Sequence, residues 1–206
     1  MFVDSDGATI PIDQLEVTEQ EQAKKYIKRN HRVLELGARF GTVSCVINKL
    51  LDDPTAHVAV EPDSNVIQAL ETNRVTHGCK FHIIEGVITT CNMKLRTFDH
   101  LNKDCAYGNF AFPVPQEYAD VKSYSLDSIQ RTYGYFNCLV ADCEGFLEQF
   151  FRENPHFLKQ VDTVIMEKDG PERCNYEYVD NCLREAGLVC IVDGFHAVWT
   201  VKEKTL

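Results

Sequence analysis

The sequence predicts an α/β fold: a doubly wound, mostly parallel seven-stranded sheet that ends in an antiparallel hairpin. Three observations predict it. Short apolar, β-branched runs alternate with helix-patterned segments along most of the 206 residues, the rhythm of a parallel sheet covered on both faces. The first of these runs ends in a glycine turn that opens directly into a helix, as ligand-binding sheets of this kind do. The last two runs are joined by Asp193-Gly194, a two-residue hairpin signal.

In chain order, residues 18–30 (TEQEQAKKYIKRN) pattern as a helix, with Thr18 as cap and Glu21 three residues later. Residues 1–31 thus read as an N-terminal helical extension. Arg32–Leu36 is a strand and Val43–Leu51 a helix. His57–Val60 is the second strand, and residues 65–76 form a helix with Val66, Ala69, Leu70 and Asn73 along one side. Phe81–Ile84, Phe136–Ala141 and Val161–Met166 complete the parallel strands. A helix over 176–187 closes on Gly187, and Leu188–Val192 with Ala197–Val201 form the hairpin. Residues 89–122 break the rhythm, with aromatics Tyr107, Phe110 and Phe112 and prolines Pro113 and Pro115 but no period. Such a length without periodicity predicts a functional loop, here a lid whose three aromatics meet substrate.

Composition narrows the function classes. The formal net charge is −10, a poor match to the basic footprint of nucleic-acid binding. No apolar run approaches membrane-spanning length, and the first residues lack a secretory design. The nine cysteines make no C-x-x-C pair or zinc-finger spacing and read as reduced, buried small hydrophobes. The expectation is a single cytoplasmic domain that neither binds nucleic acid nor enters a membrane.

The strongest local signal is Val33-Leu34-Glu35-Leu36-Gly37-Ala38-Arg39-Phe40-Gly41. Glycine there allows a sharp turn and close approach of backbone to a ligand. About twenty residues on, the next strand ends in Glu61-Pro62, where a carboxylate can accept hydrogen bonds from ribose hydroxyls. The third strand ends in Glu85-Gly86-Val87 at the same edge. The turn is G-x-x-x-G rather than G-x-G-x-x-G, which disfavours NAD. Glu35, just before the turn, suits a cationic amino-acid moiety, and S-adenosylmethionine (SAM) carries one.

These residues resemble the FkbM-type SAM-dependent O-methyltransferases over roughly Val33 to Gly170. The resemblance runs through Glu35-Leu-Gly37-Ala38-x-x-Gly41, Val60-Glu61-Pro62 and Leu70-x-x-Asn73. It continues in Leu126-Asp127-Ser128-Ile129, Asp142-Cys143-Glu144-Gly145 and Ile165-Met166-Glu167. It departs at Leu147, where the family usually has Glu; Glu148 lies next door. The resemblance implies the Rossmann-like class I methyltransferase fold. It also implies that Glu35, Gly37, Ala38 and Gly41 hold the methionine part of SAM, Glu61 and Pro62 its ribose, and Glu85, Gly86 and Val87 its adenine.

The chemistry also needs an acceptor. Asp142 and Glu144 end the fourth strand, and Glu167 and Asp169 the fifth. Carboxylates crowded at one edge repel one another unless a cation, a substrate or raised pKa values relieve them. Asp142 is the expected base, with Glu144 and Glu167 orienting the acceptor and His196 and Lys168 as runners-up. If a divalent cation such as Mg²⁺ binds, Asp142, Glu167 and Asp169 are the expected ligands. The expected acceptor is a hydroxyl of a carbohydrate or small polar metabolite, and a homodimer is the expected assembly. The competing readings are a protein or nucleic-acid methyltransferase and a non-catalytic SAM-binding scaffold.

Overall fold

A computed structural model of the protein describes residues 1–11, 15–96 and 109–202. Two short strands, β1 (Phe2–Val3) and β2 (Thr9–Ile10), pair antiparallel at the N-terminus and are followed by helix α1 (Val17–Tyr26). The central sheet is built from β3 (Val33–Leu36), β4 (His57–Glu61), β5 (His82–Glu85), β10 (Cys138–Ala141), β11 (Thr163–Glu167), β12 (Leu188–Val192) and β13 (His196–Val201). Its spatial order is β5-β4-β3-β10-β11-β13-β12. The first five are parallel, and β13 runs antiparallel to both β11 and β12. The order reverses between β3 and β10, so the strand ends open a crevice there, where ligands bind in open α/β sheets.

Strand alternation sorts the two faces. Leu34, Leu139 and Val164 point to one side, where they pack with α4 (Leu126–Tyr133), α5 (Leu147–Glu153) and α6 (Tyr176–Glu185). Val33, Val140 and Ile165 point to the other, against α1 and α2 (Thr42–Leu50). Helix α3 (Ser64–Thr76) covers Ala59 on that second face, together with Phe81, Phe2 and Ile10. Asn73, buried at 1% exposure, stitches the N-terminal strand down by hydrogen bonds to Val3 N, Val3 O and Phe40 O. The single tryptophan, Trp199, is 1% exposed in β13, with the Arg184 guanidinium 5.4 Å from its ring.

The structure departs from the expectations in definite places. Helix α1 starts at Val17 without the Thr18 cap or the Glu21 box; the preceding Glu16 is left-handed (φ 50°) and its side chain accepts the Thr42 hydroxyl instead. The tertiary contact displaces the local one. The helix also stops at Tyr26, because Ile27 is extended. The described parts of residues 89–122, 89–96 and 109–122, are not an unstructured loop. They open and close on the parallel pair β6 (Val87–Ile88) and β9 (Ser123–Tyr124), and carry an antiparallel hairpin of β7 (Met93–Arg96) and β8 (Phe110–Pro113). Tyr107 lies outside the described residues. The eight described cysteines are free, but not all are buried: Cys91, Cys143 and Cys182 are half-buried, and Cys190 is exposed at a bulge in β12. Among the described residues no helix is long and apolar enough to cross a membrane.

Candidate functional site

The site begins at the turn after β3. Gly37 (φ 87°) lies against the carbonyl of Asp142 so closely that a Cβ would collide with it, and Gly41 caps α2 in the left-handed conformation. Between them Arg39 is also left-handed (φ 41°), and its N–H donates to Glu61 Oε2 at 2.7 Å. The Asp63 N–H donates to Glu61 Oε1 at 2.8 Å. The end of β4 is thereby locked to the turn after β3. Burial pushes the Glu61 carboxyl up to about 7 despite both donors.

A cleft runs from Gly37 and Glu61 along Pro62, Gly86 and Val87 to Asp142 and Glu144. It encloses about 80 Å³, less than the roughly 300–1,000 Å³ of a typical ligand pocket. Asn109 and Ala111, at and beside the start of β8, line it, and Asn109 Nδ2 donates to Asp63 Oδ2 at 2.6 Å. The hairpin therefore stands over the mouth.

Beyond Asp142 an open cavity of about 510 Å³ collects the acidic rim. Glu16, Glu19, Asp142, Glu144, Glu167 and Asp169 line it with Arg173 and His196. Burial, then the charges of Glu16, Glu144 and Asp169, raise the Asp142 carboxyl. Burial and the Asp169 charge raise Glu144 also, against its ion pair with Arg173. Glu167 is pushed up to about 9 by burial, Asp142 and Glu19. Carboxyls raised together at one rim of a cleft mark a candidate functional site.

Among the expected cofactor residues, Gly37, Glu61, Pro62, Gly86 and Val87 line the cleft. Glu35 faces the α1–α2 side, hydrogen-bonded to His57 Nε2 at 2.9 Å, and with Ala38 lines a smaller cavity. Gly41 shapes the turn, and Glu85 is paired with Lys122 at 3.0 Å. Asp142 and Glu144 face the cleft, but not by strand alternation: β10 ends at Ala141, and Glu144 sits in a turn at φ 53°. Glu167 and Asp169 face the open cavity rather than the cleft, and Glu167 also lines the smaller cavity. Asp169 accepts from the Tyr176 hydroxyl at 3.2 Å. Phe110 and Phe112 flank Ala111 on the opposite face of β8, where Phe110 covers Arg173 and Arg96. Leu147 is buried in the core, while Glu148 accepts the Asn175 N–H at 2.8 Å and pairs with Arg152. Glu16, Glu19, Asn109 and Arg173 carry no sequence motif, and tertiary packing alone brings them to the site.

No family model matches the chain, and no curated protein matches it in sequence. Solved structures do resemble it. A protein of the NADB-Rossmann superfamily from Streptococcus agalactiae superposes with a TM-score of 0.56 at 10% identity, over 91% of this chain and 69% of that one. The precorrin-6y C5,15-methyltransferase of Geobacter metallireducens gives 0.53 at 10% identity, over 98% of both. The precorrin 8W decarboxylase of Methanobacterium thermoautotrophicum gives 0.53 at 12% identity, over 96% and 94%. What is shared at these identities is the fold, a Rossmann-like α/β sheet.

Proposed function

We propose that the protein is a SAM-dependent O-methyltransferase acting on a hydroxyl of a sugar or similarly small polar molecule. The observation that carries the reading is Glu61, a buried carboxylate fixed by two backbone N–H groups at the switch point of the sheet and facing a cleft that ends on Asp142 and Glu144. A carboxylate so placed suits paired ribose hydroxyls. The sequence resemblance to the FkbM-type enzymes supports the finer assignment.

When bound, SAM supplies an electrophilic methyl group on a sulfonium. The chain's own part is positioning and proton removal. Glu61 accepts the ribose hydroxyls, and Gly86 and Val87 leave a smooth wall beside them. Asp142 takes the proton of the acceptor hydroxyl, which contributes about 10²–10⁴ in rate. Glu144, held by Arg173, and Glu167 accept hydrogen bonds from neighbouring hydroxyls of the acceptor. The hairpin bearing Asn109 must lift to admit the nucleoside and then reclose to exclude water.

Calorimetry tests the reading. The parent should bind SAM and S-adenosylhomocysteine at micromolar affinity, with Glu61→Ala weakening both at least about tenfold, equivalent to roughly 1.4 kcal/mol. Unchanged affinity in Glu61→Ala, or tighter binding of NAD than of SAM by the parent, would refute it.

A further inference from the structure

We propose that Glu19, Glu167 and His196 form a binding site for one divalent transition-metal ion of the Mn²⁺ or Zn²⁺ kind. The three side chains come from three elements. Glu19 is in the first turn of α1, Glu167 ends β11, and His196 opens β13 directly opposite Glu167 in the antiparallel register. Helix α1 packs on both strands. One ligand atom from each lies within 4.8 Å of the others.

The histidine's spacing suits a shared ion better than a hydrogen bond. His196 Nδ1 is 3.4 Å from Glu19 Oε1 and 3.6 Å from Glu167 Oε2, beyond the usual N–H···O range. That nitrogen is buried and has no hydrogen-bond partner. Donors bound to one ion at about 2.0–2.2 Å stand roughly 3.0–3.5 Å apart, so a small inward movement completes the site.

A second, independent feature points the same way. Gln22, one helical turn after Glu19, is 8% exposed. Its Nε2 donates to His196 O at 3.2 Å, and its Oε1 is left buried with no partner. Gln22 lines, with Glu19, Glu167 and Asp142, a cavity of about 20 Å³, room for one water-sized occupant. No lysine or arginine is among the described residues lining it. An orphaned carbonyl oxygen among carboxylates calls for a donor or a cation, since a buried acceptor left unmade is costly. An imidazole in the donor set favours a transition ion over Mg²⁺ or Ca²⁺, which prefer all-oxygen ligands.

Glu19, Glu167 and His196 also line the open cavity shared by Asp142 and Glu144. An ion there has room to hold an acceptor hydroxyl through its free coordination positions. That role rests on the methyltransferase reading; binding of the ion does not.

The test is a titration of the full chain with Mn²⁺, read by loss of the free-ion electron paramagnetic resonance signal, without SAM. Manganese is the probe because the nine cysteines would compete for zinc. One Mn²⁺ per chain is expected, with Mg²⁺ displacing it only at more than tenfold excess. His196→Ala and Glu19→Gln should each weaken Mn²⁺ at least about tenfold, with metal-free Tm close to the parent's. Asp52→Asn, at the distant surface pair with Arg29, should change nothing. If His196→Ala does not fold, Glu19→Gln decides alone. Absence of saturable binding, or parent-like affinity in the folded variants, overturns the site. Mn²⁺ binding without SAM binding overturns the methyltransferase reading and leaves the site standing; SAM binding without Mn²⁺ binding does the reverse.

Discussion

Glu61, the carboxyl proposed to hold the ribose, ties stability to pH through one proton. Its carboxyl ordinarily titrates at 4.5 and is pushed by burial to about 7 in the fold. Between those values the unfolded chain has released the proton and the folded chain keeps it. Unfolding therefore releases a proton in this window, and stability falls as pH rises from about 4.5 to about 7, then levels. The displacement corresponds to a loss on the order of 3 kcal/mol. Glu16, also raised to about 7 by burial, adds a slope of the same sign. Thermal melts between pH 5 and 8 should show Tm falling in the parent and falling less steeply in Glu61→Gln; parallel curves would contradict the assignment. At this scale the sequence was partly legible. Glu61 and Gly37 were readable because a strand end and a turn are local patterns. Glu19 was not, and His196 was read only as a runner-up base, because nothing near either residue announces that α1 will lie across the ends of β11 and β13.

Elements followed the same divide. The strands β3, β4 and β10 are buried on both faces and read as mostly apolar runs, which are easily found in sequence. The hairpin β7–β8 escaped because Met93-Lys94-Leu95-Arg96 is short and half-exposed, with its partner strand many residues away. Helix α5 escaped too: Phe150 and Phe151 are adjacent and both buried, which blurs an amphipathic stripe. Among the described contacts of the hairpin with the site is the hydrogen bond from Asn109 to Asp63, and it can be cut. Asn109→Ala should raise the SAM association rate several-fold and speed amide exchange over 109–113, with Tm nearly unchanged. Stopped-flow binding and hydrogen-exchange mass spectrometry would check this; parent-like rates would show that the hairpin does not gate the cleft.

At the scale of the whole molecule, stability resides in the α4–α5–α6 face. Phe150 is fully buried there, edge-on to Phe157 with ring centroids 5.2 Å apart. Phe150→Ala should cost about 3–5 kcal/mol, seen as a lower denaturant midpoint at unchanged slope. A cost below about 1 kcal/mol would mean that this layer is looser than its burial implies. The carboxylates, by contrast, gather at the opposite edge from the packing, where the strands end. The aromatic packing of this face and the rim carboxylates thus draw on different residues, so variants such as Glu144→Gln, which test the proposed acceptor role, should leave the core packing intact.

Trp199 gives the molecule a built-in optical reporter. It is the sole indole, sealed in β13 beneath Arg184 and three residues from His196. Its emission will shift to longer wavelength only when the sheet opens to water, so melts need no attached dye. A paramagnetic ion seated at His196 would quench that same emission from close range. A single cuvette can therefore record both the loss of the fold and the arrival of the metal.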